Sequence, residues 1–286
     1  MKSANFAIFM RLFLKFIPVF LVLSGLFSCN NQFAKVEKSR DSDYKLTKAD
    51  DYYAKKKYRN ASTLYQELFP ALKGTQKFED LYYKYAYCYF YQKEYKDAEN
   101  LFKGYLEVFP NSPRAEEVDY MRAYCFFKQS PKIDLEQVNT VKSMNMMQTF
   151  INTHTGSPRI KDANAIIDEG RAKLEEKEAR SAQLFYNIGQ FRAAGIAFNT
   201  LLNNYPESIK GDHYKLMVVK SYFRFAKLSI AEKQPERFEK VTTEYLDFVD
   251  RYPESKLLKE AEEYSNLSKN NIKAISNEQN PPSAKL

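Results

Sequence analysis

One apolar stripe recurs along this chain at a single set of offsets. In KEYKDAENLFKGYLEVFP (93–110), apolar or small residues fall at Ala98, Leu101, Phe102, Tyr105, Leu106 and Phe109. Steps of three and four lay one continuous band along an α-helix, whereas a strand would alternate every second residue. Ala194, Ala197, Phe198, Leu201, Leu202 and Tyr205 repeat the pattern, as do Ala61, Leu64, Tyr65, Leu68, Phe69 and Leu72. Two weaker copies run Val241, Glu244, Tyr245, Phe248, Val249, Tyr252 and Ser143, Met146, Met147, Phe150, Ile151, His154. An aromatic residue stands three before the small one in four copies, at Tyr58, Tyr95, Phe191 and Phe238. Proline follows in three copies, at Pro110, Pro206 and Pro253, and stops each helix there.

A second helix-compatible run precedes each copy, such as DLYYKYAYCYFYQ (80–92). Ser112-Pro113, Ser157-Pro158 and Ser255 then offer capping and first-turn residues for the next helix. Helix, turn, helix and proline in units of about 34 residues is the pattern of the tetratricopeptide repeat. Tyr82, Ala86, Tyr89, Tyr95, Ala98, Phe102 and Pro110 occupy its large, small, aromatic and proline positions. The units are unequal: extra length falls at Gln129–Ile133 and Ala226–Arg237. The expected architecture is all-α: an α-solenoid of about five repeats near 43–75, 79–112, 116–157, 175–208 and 212–255, with a capping helix. It should occupy 44–267 as one cooperative stack, because repeats cannot bury their faces alone. A disordered tail is expected over 268–286. With no tryptophan and 22 residues each of Tyr and Phe, much of the core must be rings.

The amino terminus has a different grammar. Lys2, Arg11 and Lys15 precede FIPVFLVLSGLF (16–27), a basic region followed by a short apolar one, as in a secretory signal. A spanning helix needs about 20 apolar residues. Reaching that length here would bury Lys15 and Arg11 at roughly 2.5 kcal/mol or more each if central. Residues 1–28 are therefore read as a cleaved signal. Leu26-Phe27-Ser28-Cys29 resembles the lipobox of bacterial lipoproteins, with Phe27 departing from the small residue usual there. By that resemblance Cys29 is the lipidated first mature residue. Its acyl chains each contribute about 0.8 kcal/mol per buried CH₂ and are the only contact with the membrane. Asn30 in place of aspartate favours the outer membrane by the same resemblance, and residues 29–43 read as a polar tether.

Chemistry is sparse. The two histidines, His154 and His213, lie far apart in the repeat register, and no nucleophile, dinucleotide, phosphate-loop or zinc-protease motif occurs. No enzyme activity, cofactor or metal is expected. The formal charge of +8 is spread among interleaved Lys and Glu, as on solvated helix faces and unlike a nucleic-acid patch. Cys88 and Cys125 take the same place in consecutive first helices. Packed helices sit about 8–10 Å apart and a disulfide wants Cα atoms within about 7 Å, so two buried free thiols are expected. The remaining signal is aromatic. Register puts Tyr83, Tyr87 and Phe90 of the second repeat beside Tyr120, Tyr124 and Phe127 of the third, on the concave face. Such a patch suits an extended peptide with alternating aromatic residues, held by ring contacts and tyrosine hydroxyls.

A lipobox followed by five such repeats resembles the BamD family, the tetratricopeptide lipoproteins of the outer-membrane β-barrel assembly machinery. YLEVFPNSPRAEEVDYMRAYCFF (105–127), ARSAQLFYNIGQFRAAGIAFNTLLNNYPES (179–208) and YLDFVDRYPES (245–255) carry the likeness, which covers about 45–265. The chain departs from it in the Ala226–Arg237 insertion and in Thr155, where the third repeat lacks its proline. The resemblance implies a non-catalytic protein on the periplasmic face of the outer membrane. Its amino-terminal repeats would receive the C-terminal strand of unfolded barrel proteins. Its carboxy-terminal repeats would dock on the BamA-type subunit, in company with other assembly lipoproteins. Two other classes compete: a repeat lipoprotein scaffolding cell-envelope processes, of the Tol–Pal-associated type, and a SusD-like glycan-binding lipoprotein. The first usually adds a coiled coil for which 30–43 has no room, and the second is longer and uses tryptophans absent here.

Overall fold

A computed structural model describes residues 32–279. A helical segment, α1, covers 32–37. Helices then follow in pairs: α2 (Ser42–Ala54) with α3 (Tyr58–Leu72), α4 (Phe78–Tyr91) with α5 (Tyr95–Val108), and α6 (Ala115–Lys128) with α7 (Val138–Thr153). α8 (Ile160–Asn187) pairs with α9 (Phe191–Asn204), and α10 (Gly211–Lys227) with α11 (Gln234–Arg251), before a final α12 (Leu258–Gln279). The fold is all-helical among the described residues and of the tetratricopeptide kind. Contacts divide it into two compact units. Among the described residues, the first takes 32–131 together with Val138–Ile167, and the second takes Lys132–Gln137 and 168–279.

The offsets explain the pairing. In the first unit the small residues Ala61, Ala86, Ala98 and Ala123 are at most 1% exposed, so neighbouring helices approach closely at those points. Rings fill the space beside them: Tyr65, Phe102, Tyr105 and Phe150 are fully buried. Phe69 meets Phe78 and Tyr82 edge-on at 4.9 and 4.7 Å, the arrangement that ring quadrupoles favour. In the second unit Ala194, Leu201, Val218, Val219 and Val241 are fully buried beside the rings of Phe198, Phe238 and Phe248. Here Glu244 interrupts the apolar stripe of its copy, and the structure supplies the reason. Lys215, 1% exposed, pairs with Glu244 and lies 2.5 Å from Asp247, while Lys240 meets Glu244 at 2.6 Å. A charge at a core position is tolerated because its partner is buried with it.

The turns inside three pairs share one geometry. Lys56, Lys93 and Gly189 stand two residues before the second helix with φ of 57°, 66° and 81°. In each, the flanking N–H groups bond back to the outgoing helix, as in Glu94 N to Tyr89 O and Lys93 N to Phe90 O. This left-handed turn satisfies the last carbonyls of the first helix.

Between the pairs, serines do more than cap. Ser112, Ser157, Ser208 and Ser255 accept from the backbone N–H two residues on, at 3.0–3.2 Å. Each hydroxyl then donates to a carboxylate on the preceding first helix: Glu79, Glu116, Glu175 and Asp212, at 2.5–2.6 Å. The helices begin three residues past these serines, so the expected capping role belongs to a turn that leads into the helix.

Two expectations at the ends need correction. Residues 32–37 are helical and docked where composition read a polar tether. Val36 is buried, Phe33 meets Tyr52 edge-on at 5.7 Å, and Lys45 donates to the Glu37 carbonyl at 2.8 Å. Two apolar side chains among polar neighbours suffice to hold so short a piece. The tail expected from 268 is helical to Gln279, because Ala261, Ser265 and Ser268 are buried and Ile272 and Ile275 pack on Phe223 and Phe238. Small serines on a packed stripe hid that helix. Residues 280–286 lie outside the described residues, as do 1–31 with Cys29. No described helix is long and apolar enough to cross a membrane.

Candidate functional site

The six rings singled out in the sequence lie on two first helices of the first unit. Tyr83, Tyr87 and Phe90 stand on α4 at helical spacing, and Tyr120, Tyr124 and Phe127 on α6. They form a linked series: Tyr83–Tyr87 at 4.7 Å, Tyr87–Phe90 at 6.3 Å and Phe90–Tyr124 at 6.0 Å between centroids. Tyr124 stacks on Tyr120 at 5.9 Å and on Phe127 at 5.6 Å. The structure therefore brings all six into one ribbon.

They are not equivalent within it. Tyr87 and Tyr120 are 6% and 7% exposed and pack inward, against Phe102 and Phe150 respectively. Tyr83, Phe90, Tyr124 and Phe127 are half-buried and present ring surface to solvent. The ribbon also extends further than the six. Tyr91, 46% exposed, stacks on Tyr58 at 4.6 Å and reaches Tyr53 of α2 at 6.5 Å. Register could have found Tyr53, which sits one 37-residue unit before Phe90, as Phe90 does before Phe127. Tyr91 lacked that signal.

The hydroxyls of Tyr83 and Tyr87 do not face outward. Tyr83 and Tyr87 both donate to Glu117 Oε1 of α6, at 3.1 and 2.5 Å. Burial, followed by this bond to a carboxylate, drives the Tyr87 phenol well above its ordinary value, so it remains a donor at any working pH. The expectation that tyrosine hydroxyls grip a ligand does not extend to these two. Cations also flank the ribbon. Arg114 lies 4.4 Å above the Tyr83 ring and Arg159 5.1 Å above Tyr120, with Lys128 5.8 Å from Tyr124.

Those arginines are fixed by a charge ladder along the same helices. Asp50 of α2 takes Lys84 at 2.9 Å, Lys84 reaches Asp80 at 2.6 Å, and Asp80 takes Arg114 at 2.9 Å. Burial alone would raise the Asp80 carboxyl, but hydrogen bonds from Lys84 and Arg114 outweigh it and hold it below its ordinary range. Arg159 stands 3.7 Å from Glu117. Rings and guanidinium groups thus share one preorganised surface, suited to flat apolar groups and to carboxylates.

Other candidates place themselves outside this surface. Cys88 and Cys125 are free and buried, and burial pushes both thiols up to about 12, which leaves them protonated and unreactive. His154 contacts Asp119 at 3.3 Å, and His213 is exposed. Among the described residues no group of three or more His, Cys, Asp or Glu side chains could hold a metal ion.

Comparison with known proteins gives three results. Among solved structures, the "TPR2AB-domain:pHSP90-complex of yeast Sti1" is similar at 12% identity and a TM-score of 0.38, over 80% of this chain and 98% of that one. No curated protein matches the sequence. The YfiO family, described as outer membrane lipoprotein, matches residues 38–227. That match spans well over half of the chain and includes the whole ring ribbon, so the protein belongs to the YfiO family of outer membrane lipoproteins.

Proposed function

We propose that the protein is a non-catalytic subunit of the outer-membrane β-barrel assembly complex, anchored through acylated Cys29 on the periplasmic face. In this reading the ribbon of the first unit receives the C-terminal strand of unfolded barrel proteins, and the protein works beside a BamA-type subunit and other assembly lipoproteins. The observation that supports it is the ribbon itself. Half-exposed rings bordered by Arg114 and Arg159 offer an amphipathic strand aromatic contacts and its terminal carboxylate a cation. Membership of an outer membrane lipoprotein family supports the location.

Co-purification from membranes is the direct test. The BamA-type subunit should be recovered, and repeated failure to find it would sink the assembly role. For the ribbon, Tyr124→Ala with Phe127→Ala should weaken binding of a C-terminal barrel peptide about tenfold, at roughly 0.5–1.5 kcal/mol per aromatic contact. These two are preferred to Tyr87 because they are half-exposed, so lost affinity is not confused with lost folding. Unchanged affinity would refute the ribbon as the peptide site.

A further inference from the structure

The docking of α1 against α2 creates a second feature, next in sequence to Tyr53 and Tyr58 of the ribbon. An open cleft of about 380 Å³ lies between α1, α2 and the start of α3. That is more than ten water volumes at about 30 Å³ each. Its lining includes Lys35, Lys48, Lys55 and Lys57 and a single acid, Asp51. Lys48 meets that acid at 3.3 Å, so Asp51 is already answered. Lys35, Lys55 and Lys57 are exposed and form no ion pair among the described residues. The left-handed turn at Lys56 carries the chain round the end of α2, so that Lys55 and Lys57 on either side of it both line the cleft. Tyr44, 40% exposed, also lines the cleft, a ring with a polar tip of the kind that settles at headgroup depth.

Three unpaired lysines beside a Lys48–Asp51 pair form a site for a phosphate. Position selects which phosphate. Gln32 lines the cleft and stands three residues after Cys29, and three residues of chain span at most about 11 Å. We infer that this cleft takes the phosphate of an anionic lipid headgroup in the leaflet that holds the Cys29 acyl chains, and so sets how the first unit stands on the membrane. The inference rests on the anchoring reading above, with which it shares only Cys29. Lysines near an anionic surface are each attracted to it, so three unpaired lysines make a usable force.

The test uses the wild-type protein extracted from membranes and returned to bilayer discs. An amine-acylating reagent should modify Lys35, Lys55 and Lys57 about fivefold more slowly in discs containing phosphatidylglycerol than in discs of phosphatidylcholine alone. Lys256 and Lys269, exposed on other elements, should react equally in both. A variant with Lys35→Gln, Lys55→Gln and Lys57→Gln should lose the corresponding protection of Lys48. Equal rates at the cleft lysines in both discs would overturn the inference, and so would uniform slowing at every lysine. Equal protection by inorganic phosphate in detergent would overturn the lipid assignment. The intact mass of the same preparation reports separately on Cys29. An unmodified cysteine defeats the anchor, while the labelling pattern alone decides the cleft.

Discussion

The two units solve one packing problem with different materials. Both carry the same stripe on paired helices, yet the buried rings of the first are mostly tyrosines, such as Tyr65, Tyr82 and Tyr105, and those of the second mostly phenylalanines, such as Phe198, Phe238 and Phe248. Polar atoms follow suit. In the first unit the charges of Asp50, Lys84, Asp80 and Arg114 run along the surface beside the rings. In the second, Lys215 and Glu244 are shut inside. A helix as rich in rings as α4 spills some of them onto its surface, because neighbouring turns cannot all point inward. In the second unit a buried ion pair takes part of the stripe instead.

Lys215→Ala should separate the two units most sharply. Removing one partner of a buried pair should cost about 3–5 kcal/mol, whereas Lys215→Met with Glu244→Leu should recover much of it. Amide exchange should quicken in α10–α12 and stay unchanged in α4–α6. Equal quickening in both would mean that the units do not differ in this way.

The second test lies in the first unit. Glu79 accepts from Ser112 and Tyr105 at 2.6 and 2.8 Å, and these bonds hold its carboxyl below 4.5. Glu79→Ala should cost about 2 kcal/mol, the range for hydrogen bonds to a charged group. The sign of the pH effect follows from the lowered value. Its contribution is complete above 4.5 and drains away as pH falls through the native value. The urea midpoint of the wild type should therefore fall on acidification below 4.5, and Glu79→Gln should flatten that fall.

The smallest effect contrasts one turn in the two units. Lys93 and Gly189 hold the same left-handed position with φ of 66° and 81°. Lys93→Gly should gain, and Gly189→Ala lose, about 1 kcal/mol in thermal or urea unfolding. A change of the same sign in both would show that something other than backbone conformation governs the turn.

Periodicity made most of the fold legible. The stripe at Ala98, Leu101, Phe102 and Tyr105 named a helix, and Pro110, Pro206 and Pro253 named where such helices end. What it missed had no periodic signature. Phe33 and Val36 pin a short polar segment, and Ser265 and Ser268 lie buried in α12 although serine reads as surface. The ribbon was found by register, but register cannot tell an inward ring from an outward one. Tyr87 and Tyr124 differ in depth because α4 lies over Phe102 where α6 turns Tyr124 outward along the ribbon.

The shared carboxylate of Glu117 has a consequence for breadth of clientele. With Tyr83 and Tyr87 both spending their protons on it, this stretch of the ribbon offers a visitor faces and edges but no alphabet of donors and acceptors. On the proposed reading, such a surface would answer to the rhythm of flat side chains along a strand and ignore most of the letters between them. It would serve many different sequences that share one cadence.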